Sequence, residues 1–284
     1  MMNISLDLSN KIPNQTVEIL QKVTSVTEKL NIPIFLIGAT ARDFVLEYGY
    51  NLPKSTKTRD IDFGVAVSNW QEYEKLKLEL VNTGNFTLDL KAEHRLIENF
   101  SQTKIDFVPF GEIESPPGQI TFLNKSHTVM NMTGFSEVFE SALTVRLSAD
   151  LIIKIVSPVG LALLKLFSWN DRFENKDVSD FWLIVKNYLN IPDNEDRIYN
   201  KYFSWLEDED YDFEIAGAKL LGIDIAEISS EETKMQISSF FENQKKLENF
   251  AFEIMRVEKS AEDNFDRIML ILKAIEEGLR ENIN

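Results

Sequence analysis

Two aspartates, Asp60 and Asp62, are separated by one residue and stand at the start of an apolar run that extends to Val67. In a β-strand alternate side chains share a face, so we expect both carboxylates on one side and Ile61 on the other. Two anionic groups on one face of a half-buried strand repel each other and lose hydration, which is costly without a cation nearby. The segment therefore predicts a strand that offers a pair of oxygen ligands to a divalent cation. The alternative is a strand whose carboxylates form salt bridges with the neighbouring Arg59.

A third carboxylate, Asp106, lies in a similar apolar run, residues 104–109. If this run is a strand beside the first one, three carboxylates converge, and Asp106 is a further metal ligand or the base for an attacking hydroxyl. The sequence has no cysteine and two histidines, so we expect oxygen ligands. This donor set predicts Mg²⁺ as the cofactor, with Mn²⁺ as the alternative, held by Asp60, Asp62 and Asp106. The other interpretation of Asp106 is a solvated residue at a strand edge.

The composition is that of a globular protein. The chain has 284 residues, of which 44% are hydrophobic, and charges of both signs are interspersed along it. No apolar run approaches the roughly 20 residues that a membrane span needs, and the first residues lack the basic and then apolar pattern of a signal peptide. We expect a cytoplasmic protein without a membrane partner.

Negative charge is concentrated in the second part of the chain. Residues 1–190 carry 19 Lys and Arg against 23 Asp and Glu, whereas residues 191–284 carry 11 against 23. A surface this acidic repels phosphate backbones, so we expect no nonspecific nucleic-acid binding by the C-terminal part. A local basic groove in the first part is compatible with the sequence.

The first half of the chain alternates between strand and helix patterns. Apolar spacing and helix-start signals predict helices over residues 16–30, 40–48 and 70–81. Short apolar or alternating runs predict strands over residues 34–37, 60–67, 86–90, 96–100, 104–109 and 143–155. The mixture indicates an α+β domain, with a mixed sheet flanked by helices, which we place at residues 1–155.

From Pro158 onwards the pattern is helical, which predicts a helical C-terminal domain over residues 156–284. After the helix that begins near Pro158 and the one that follows it, further helices are expected over residues 198–207, 213–221, 231–243, 246–257 and 263–281. Several aromatic residues of this region have helix-packing spacing, and we interpret them as core rather than as a base-stacking platform. They are Trp205, Phe240, Phe241, Phe250 and Phe252.

The segment Gly38, Ala39 and Thr40 stands between a predicted strand and a predicted helix. Free backbone N–H groups and the positive end of a helix can hold an anion there, and the Thr40 hydroxyl adds a donor. Most turns of this kind bind nothing, so the signal is weak alone. Beside an aspartate pair it gains weight, because Mg²⁺ is often held by carboxylates together with the phosphates of a substrate.

These motifs, in this order, resemble the polymerase-beta-like nucleotidyltransferases. The resemblance rests on the turn from Gly38 to Asp43, on the pair Asp60 and Asp62, and on Asp106. Downstream, residues 165–172 and then 176–180 are similar to the Lys to Arg helix and the Lys-Asp-x-x-Asp motif of the AbiEii-like members, the abortive-infection or type IV toxin type. The resemblance covers about residues 34–182. One departure is Ala39, where the family usually has Gly or Ser.

The resemblance implies two overlapping sets of site residues. The catalytic set is Asp60, Asp62, Asp106, Lys165, Asp177 and Asp180. The nucleotide-binding set is Gly38, Ala39, Thr40, Arg42, Lys165 and Arg172. Positions seven apart share a helix face, so two cations of one helix can face a triphosphate together. A solvated helix face for the cations, and helix capping for the last two aspartates, are the alternatives.

By this resemblance the chain is a nucleotidyltransferase that moves an NMP from a nucleoside triphosphate to an acceptor hydroxyl of tRNA or of a protein. A toxin-like member implies a cognate antitoxin protein as partner. The end of the turn, Ala41-Arg42-Asp43, is also similar to the signature of CCA-adding enzymes and bacterial poly(A) polymerases, but those enzymes need a basic tRNA-binding tail. A catalytically silent nucleotide-binding or interaction module is the third alternative. Retention of the carboxylates and Lys165 argues against it, because such charges are costly to bury together.

Overall fold

The computed structural model describes residues 4–53, 60–122, 128–208, 212–258 and 264–281. The chain divides into two compact units, Met1–Ser157 and Pro158–Asn284. Arg59, the alternative partner of the aspartate pair, lies outside the described residues.

The first unit contains strands and helices. Its strands are β1 (Leu6–Asp7), β2 (Ile34–Ile37), β3 (Ile61–Ala66), β4 (Phe86–Leu88), β5 (Arg95–Glu98), β6 (Lys104–Phe110), β7 (Gln119–Thr121), β8 (Val129–Asn131), β9 (Leu143–Ser148) and β10 (Leu151–Ile155). Its helices are α1 (Asn14–Leu30), α2 (Gly38–Arg42), which continues in wider π-helical turns over Asp43–Gly49, α3 (Trp70–Asn82) and α4 (Phe135–Glu140).

Among the described residues, eight strands form one mixed sheet in the order β1-β9-β10-β2-β3-β6-β5-β4, while β7 pairs with β8 separately. Strand β3 runs antiparallel to β2 and parallel to β6, and β5 runs antiparallel to β6. The expected α+β class, with a mixed sheet flanked by helices and a helical C-terminal region, is confirmed.

The centre of the sheet is held by aromatic packing on one face. Ile61 and Phe63 of β3 are buried, and the Phe63 ring stacks on Phe107 of β6 with centroids 5.6 Å apart. The hydroxyl of Tyr73 donates to the carbonyl of Phe107 at 2.8 Å, which fixes α3 on β6. Because strand side chains alternate, this core leaves the other face of β3 to Asp62.

The second unit is helical in its described residues. Its helices are α5 (Pro158–Arg172), α6 (Asn175–Asn187), a 3₁₀ turn (Tyr188–Asn190), α7 (Asn194–Lys201), α8 (Phe203–Asp208), α9 (Phe213–Ile228), α10 (Glu231–Glu242), α11 (Gln244–Val257) and α12 (Phe265–Glu281). A helix long and apolar enough to cross a bilayer does not occur in the described part of the chain.

Helices α9 and α12 approach each other backbone to backbone through two glycines. A Cβ at Gly222 would lie 2.1 Å from the carbonyl oxygen of Ile275, and one at Gly278 would lie 2.0 Å from that of Lys219. Neither position therefore accepts a side chain without separating the helices.

Several sequence predictions need correction. The helix expected over residues 198–207 is divided between α7 and α8, and the one expected over 213–221 extends to Ile228. The core assignment is right for Phe240, Phe241 and Phe250, which are buried, but wrong for Phe252, whose side chain is 47% exposed. Two residues along a helix correspond to a rotation of about 200°, so Phe250 and Phe252 lie on opposite faces of α11 and only Phe250 packs into the core.

Candidate functional site

Adjacent strands place three charged side chains side by side on one face of the sheet. Asp62 of β3 is the register partner of Asp106 on β6, and Asp106 is the register partner of Arg95 on β5. On the other side, Asp62 is paired with Ile37 at the end of β2. Because partners in register project from the same face, the carboxylates of Asp62 and Asp106 are neighbours, as the sequence predicted.

Asp60 lies one residue before β3 and is half-buried. Its carbonyl accepts a hydrogen bond of 2.8 Å from the Thr40 hydroxyl, which connects the approach to β3 with α2. The charge of Asp60 also acts on Arg95. Hydrogen bonding to Asp106 raises the pKa of Arg95 first, and the charge of Asp60 adds to that effect. The negative charges of Asp60 and Asp106 therefore act on the same arginine, Arg95.

The carboxylate of Asp106 is held by Arg95. The guanidinium donates from Nε to Oδ1 at 2.6 Å and from Nη2 to Oδ2 at 2.8 Å, a bidentate charge-assisted pair. His94 Nε2 lies 3.7 Å from Oδ2, and burial lowers the pKa of this imidazole although Asp106 opposes the effect. The alternative of Asp106 as a solvated strand-edge residue is wrong, because the residue is buried and paired.

The expected group of three metal-binding carboxylates is not formed by these side-chain positions. Within the described ranges, no three His, Asp or Glu side chains are grouped so that they could hold a metal ion. Both oxygens of Asp106 are engaged by Arg95, so a metal shared with Asp60 and Asp62 requires that pair to open. The metal-ligand role of Asp106 stays a prediction.

Gly38 and Asp62 are in direct contact. Gly38 has a φ of +71°, in the left-handed region, and a Cβ there would lie 2.2 Å from Oδ2 of Asp62. Only glycine combines that backbone conformation with room for the carboxylate. The contact fixes one aspartate of the pair against the turn between β2 and α2.

The other turn residues are bound within the protein. Ala39 and Thr40 are half-buried, and the Thr40 hydroxyl already donates to Asp60. The guanidinium of Arg42 is buried and donates from Nε and Nη2 to Oδ1 of Asp43 at 2.9 and 2.6 Å. The nucleotide-binding role predicted for Thr40 and Arg42 stays a prediction, since both side chains already donate to acceptors of the protein.

In the second unit, Lys165 and Arg172 of α5 close on two aspartates of α6. Lys165 Nζ lies 3.1 Å from Oδ1 of Asp177 and 2.6 Å from Oδ2 of Asp180. Arg172 donates from Nε and Nη2 to the two oxygens of Asp177 at 2.7 and 2.8 Å. The four residues form a neutral ion-pair cluster that connects the two helices.

The burial of Lys165 and Asp177 argues against the alternatives that the sequence left open for these two residues, whereas Arg172 is exposed. Lys165 is buried, so it is not part of a solvated helix face. Asp177 is fully buried, and its oxygens accept from cations rather than from the end of a helix. Burial acts to raise the pKa of Asp177, but the hydrogen bonds from Arg172 and the charge of Lys165 outweigh it, and the pKa is lowered. Triphosphate binding by Lys165 stays a prediction, since two carboxylates already neutralise its charge.

No protein-family model and no curated protein matches the chain. Among solved structures, the chain is similar to the antibiotic-resistance factor ANT(2'')-Ia in solution, with 11% identity and a TM-score of 0.37 over 70% of this chain and 100% of that one. It is also similar to the lincosamide antibiotic adenylyltransferase LnuA with lincomycin bound, with 16% identity and a TM-score of 0.34 over 58% and 92%.

A third similar structure is the Thermotoga maritima CCA-adding enzyme complexed with tRNA, with 9% identity and a TM-score of 0.28 over 98% of this chain and 85% of that one. Likenesses this remote leave the function to be argued from the residues of the chain itself.

Arg95 is the site residue that the sequence did not reveal. It follows His94 in a charged segment, and nothing in that segment marks it as a partner of Asp106. Its position depends on the register of β5 against β6, which is a long-range property of the sheet. The available signal was weak: an arginine at the start of an apolar strand next to an aspartate-bearing strand.

Proposed function

We propose that the chain is a nucleotidyltransferase that transfers an NMP from a nucleoside triphosphate to an acceptor hydroxyl. One observation carries this proposal: Asp62 and Asp106 are register partners on one face of the sheet, with Asp62 packed on the left-handed turn at Gly38 and Asp60 two residues before Asp62 in the chain. Neighbouring carboxylates on adjacent strands are unfavourable unless cations compensate their charge.

The donor chemistry of this face fits Mg²⁺, or Mn²⁺. Asp60 and Asp62 supply hard oxygen ligands at the start of β3, and Gly38 leaves the space beside Asp62 without a side chain. Mg²⁺ is commonly held by one or two carboxylates together with phosphate oxygens of the substrate. We assign Asp60 and Asp62 as these ligands. A bound Mg²⁺ supplies positive charge for the phosphate oxygens.

In the proposed reaction the acceptor oxygen bonds to the α-phosphorus, and the bond from that phosphorus to the oxygen bridging the β-phosphate breaks. Pyrophosphate carries away the bond electrons, and Asp106 accepts the proton of the acceptor hydroxyl. Asp106 can do so only after Arg95 releases one of its oxygens. Phosphate oxygens of the substrate offer the guanidinium another bidentate partner, so substrate binding itself favours that release.

We propose a toxin-like role, with a tRNA end or a protein side chain as acceptor and a cognate antitoxin as partner. The order of motifs from Gly38 to Asp180 supports this type. The alternative, a CCA-adding or poly(A) enzyme, is disfavoured by the acidic residues 191–284, with 11 Lys and Arg against 23 Asp and Glu. Growth arrest on expression of the wild-type chain, relieved in an Asp60→Asn/Asp62→Asn variant, is the result expected of a toxin.

The activity itself is tested by label transfer. The full chain is incubated with Mg²⁺ and each of the four labelled nucleoside triphosphates, in the presence of total tRNA or of lysate protein. We expect transfer by the wild type and its loss in Asp60→Asn/Asp62→Asn. Asp150→Asn is the matched control, because Asp150 is an exposed aspartate of the same unit.

Circular dichroism and thermal melts establish that the variants are folded. Equal transfer by the wild type and the double variant contradicts the proposal. Binding of triphosphate without transfer to any acceptor favours a silent nucleotide-binding module instead.

A further inference from the structure

The second unit contains a pocket that none of the roles above uses. It lies between the end of α5, the start of α6 and α11, and encloses about 490 Å³. This volume is in the range of roughly 300–1,000 Å³ that small-molecule sites occupy. Its lining combines aromatic rings with carboxamides and one ion pair. Such a lining suits a flat ligand with polar groups at its edges.

One lining residue, Trp169, has an incomplete hydrogen-bond inventory. Its side chain is 1% exposed, and among the described residues its Nε1–H has no hydrogen-bond partner. The ring is fixed by Phe250 and Phe173, with centroids 4.5 and 5.2 Å away. A buried donor of this kind is unfavourable unless an acceptor completes it. Because this N–H is shielded from solvent, a ligand in the pocket meets the indole ring of Trp169 and not its donor.

Two phenylalanines give the pocket accessible aromatic surface. Phe173 is 62% exposed and Phe252 is 47% exposed, and both line the pocket. Phe173 has a φ of 53°, in the left-handed region that non-glycine residues rarely adopt, and its N–H donates to the carbonyl of Trp169 at 2.8 Å. Phe252 stacks on Phe265 with centroids 4.6 Å apart. Both rings are thus supported by neighbours and still present area for stacking.

The polar lining is uncharged in sum. Asn175 and Asn249 bring carboxamides, which both donate and accept. Arg256 donates to Oε1 of Glu253 at 2.6 Å, so the charges of this pair neutralise each other. A phosphate group would need an uncompensated cation, and a cationic sugar would need an uncompensated carboxylate. A purely apolar ligand would leave both carboxamides without partners.

We propose that this pocket binds a nucleobase. A base has a flat face for Phe173 and Phe252, and ring-edge acceptors and donors for Asn175 and Asn249. The base can belong to a free nucleoside, to a nucleotide or to an RNA strand. The inference stands on this pocket alone and does not depend on the proposed transferase activity.

The test is direct binding, read at the indole signal of Trp169. In ¹H–¹⁵N spectra of the full chain, the four tryptophans give indole signals, and Trp169→Phe identifies the one that belongs to Trp169. Adenosine, guanosine, cytidine and uridine are titrated separately. We expect at least one nucleoside to shift the Trp169 signal while the Trp205 signal stays in place. No shift with any nucleoside overturns the proposal.

Phe252→Ala is the deciding variant, because the side chain is exposed and its removal leaves the core intact. We expect the nucleoside affinity to fall about tenfold or more, as for loss of one base-stacking ring. Phe100→Ala, at a position that is 90% exposed in the other unit, is the control and should bind as the wild type. Equal affinity of the two variants overturns the pocket assignment.

Two further measurements identify the source of the base and separate this proposal from the proposed transferase activity. Tighter binding of a short RNA than of the nucleoside assigns the pocket to an acceptor strand, whereas tighter binding of the triphosphate assigns it to the nucleotide substrate. The Asp60→Asn/Asp62→Asn variant should bind the nucleoside as the wild type does, even if no transfer activity is ever found. A response to a cationic aminosugar alone, without any nucleoside response, contradicts the proposal.

Discussion

Arg95 holds both carboxylate oxygens of Asp106, through Nε at 2.6 Å and Nη2 at 2.8 Å. The two residues are cross-strand partners on β5 and β6, so the register of the sheet places them opposite each other. Asp62 is the partner of Asp106 on the other side. The positive charge of Arg95 therefore compensates the negative charge of Asp106 and reduces the repulsion between the carboxylates of Asp62 and Asp106.

Arg95→Met should lower the free energy of unfolding by about 1–3 kcal/mol, because it leaves the carboxylate of Asp106 buried without its bidentate partner. Urea unfolding monitored by circular dichroism measures this loss. Arg95→Lys keeps the charge but not the planar fork, so its loss should be intermediate. In a double-mutant cycle with Asp106→Asn, the loss of the double variant should be smaller than the sum of the single losses. Additive losses would contradict a direct pair.

Gly38→Ala should destabilise the chain more than Gly84→Ala does. Both glycines have left-handed backbones, with φ of +71° and +76°, so both substitutions introduce the same backbone strain. At Gly38 the new Cβ would also lie 2.2 Å from Oδ2 of Asp62, whereas at Gly84 no atom of the described residues lies within 4 Å. The difference between the two unfolding free energies isolates the contact with Asp62. That difference should shrink in an Asp62→Ala background, where only the Cβ of residue 62, 3.1 Å from the new Cβ, is left. An undiminished difference would assign it to something other than the carboxylate.

The part of the site that the sequence could predict is the part with local periodicity. A helical spacing of seven placed Lys165 and Arg172 on one face, where both contact Asp177. Alternation predicted one face for Asp60 and Asp62, which stays a prediction because β3 begins at Ile61. Both patterns depend only on residues near each other in the chain. The α+β class followed from the same local patterns, which is why it could be predicted and is confirmed.

The partners of those residues could not be predicted, because they come from elsewhere in the fold. Arg95 reaches Asp106 through strand register, and Asp180 reaches Lys165 through the packing of two helices. Arg42 is a similar case. The motif predicted that it binds a nucleotide, which stays a prediction, and the motif could not show its burial or its ion pair with Asp43.

Gly222→Ala should destabilise the second unit by about 1–3 kcal/mol, because the added Cβ would lie 2.1 Å from the carbonyl oxygen of Ile275 and force α9 away from α12. Gly217→Ala, in the same helix, is the matched control. Its Cβ would meet the Cβ of Leu189 at 3.3 Å, a much milder contact, and the substitution improves helix propensity by up to about 1 kcal/mol, so its loss should be clearly smaller. Chemical unfolding of both variants measures the two losses in unfolding free energy. Equal losses would show that the close approach of the helices is not what limits stability.

Asp177 should make the stability of the chain depend on pH in the acid range. Its pKa in the folded chain is lowered below the ordinary value of 3.8, since Arg172 and Lys165 outweigh the effect of burial. A carboxyl group with a lowered folded pKa stabilises fully above its ordinary pKa, and that contribution is lost as the pH falls through the folded value. Asp177→Asn should therefore cost roughly 3 kcal/mol at neutral pH, because a buried pair loses one partner.

The difference between wild type and Asp177→Asn should shrink as the pH falls below the ordinary carboxyl pKa of 3.8. Unfolding free energies of both chains across this range measure it. Asp196→Asn is the control, because Asp196 is an exposed aspartate of the same unit, and its effect should stay within about 0.5 kcal/mol at every pH. A difference between wild type and Asp177→Asn that does not change with pH would mean that the carboxylate charge is not what Lys165 and Arg172 stabilise.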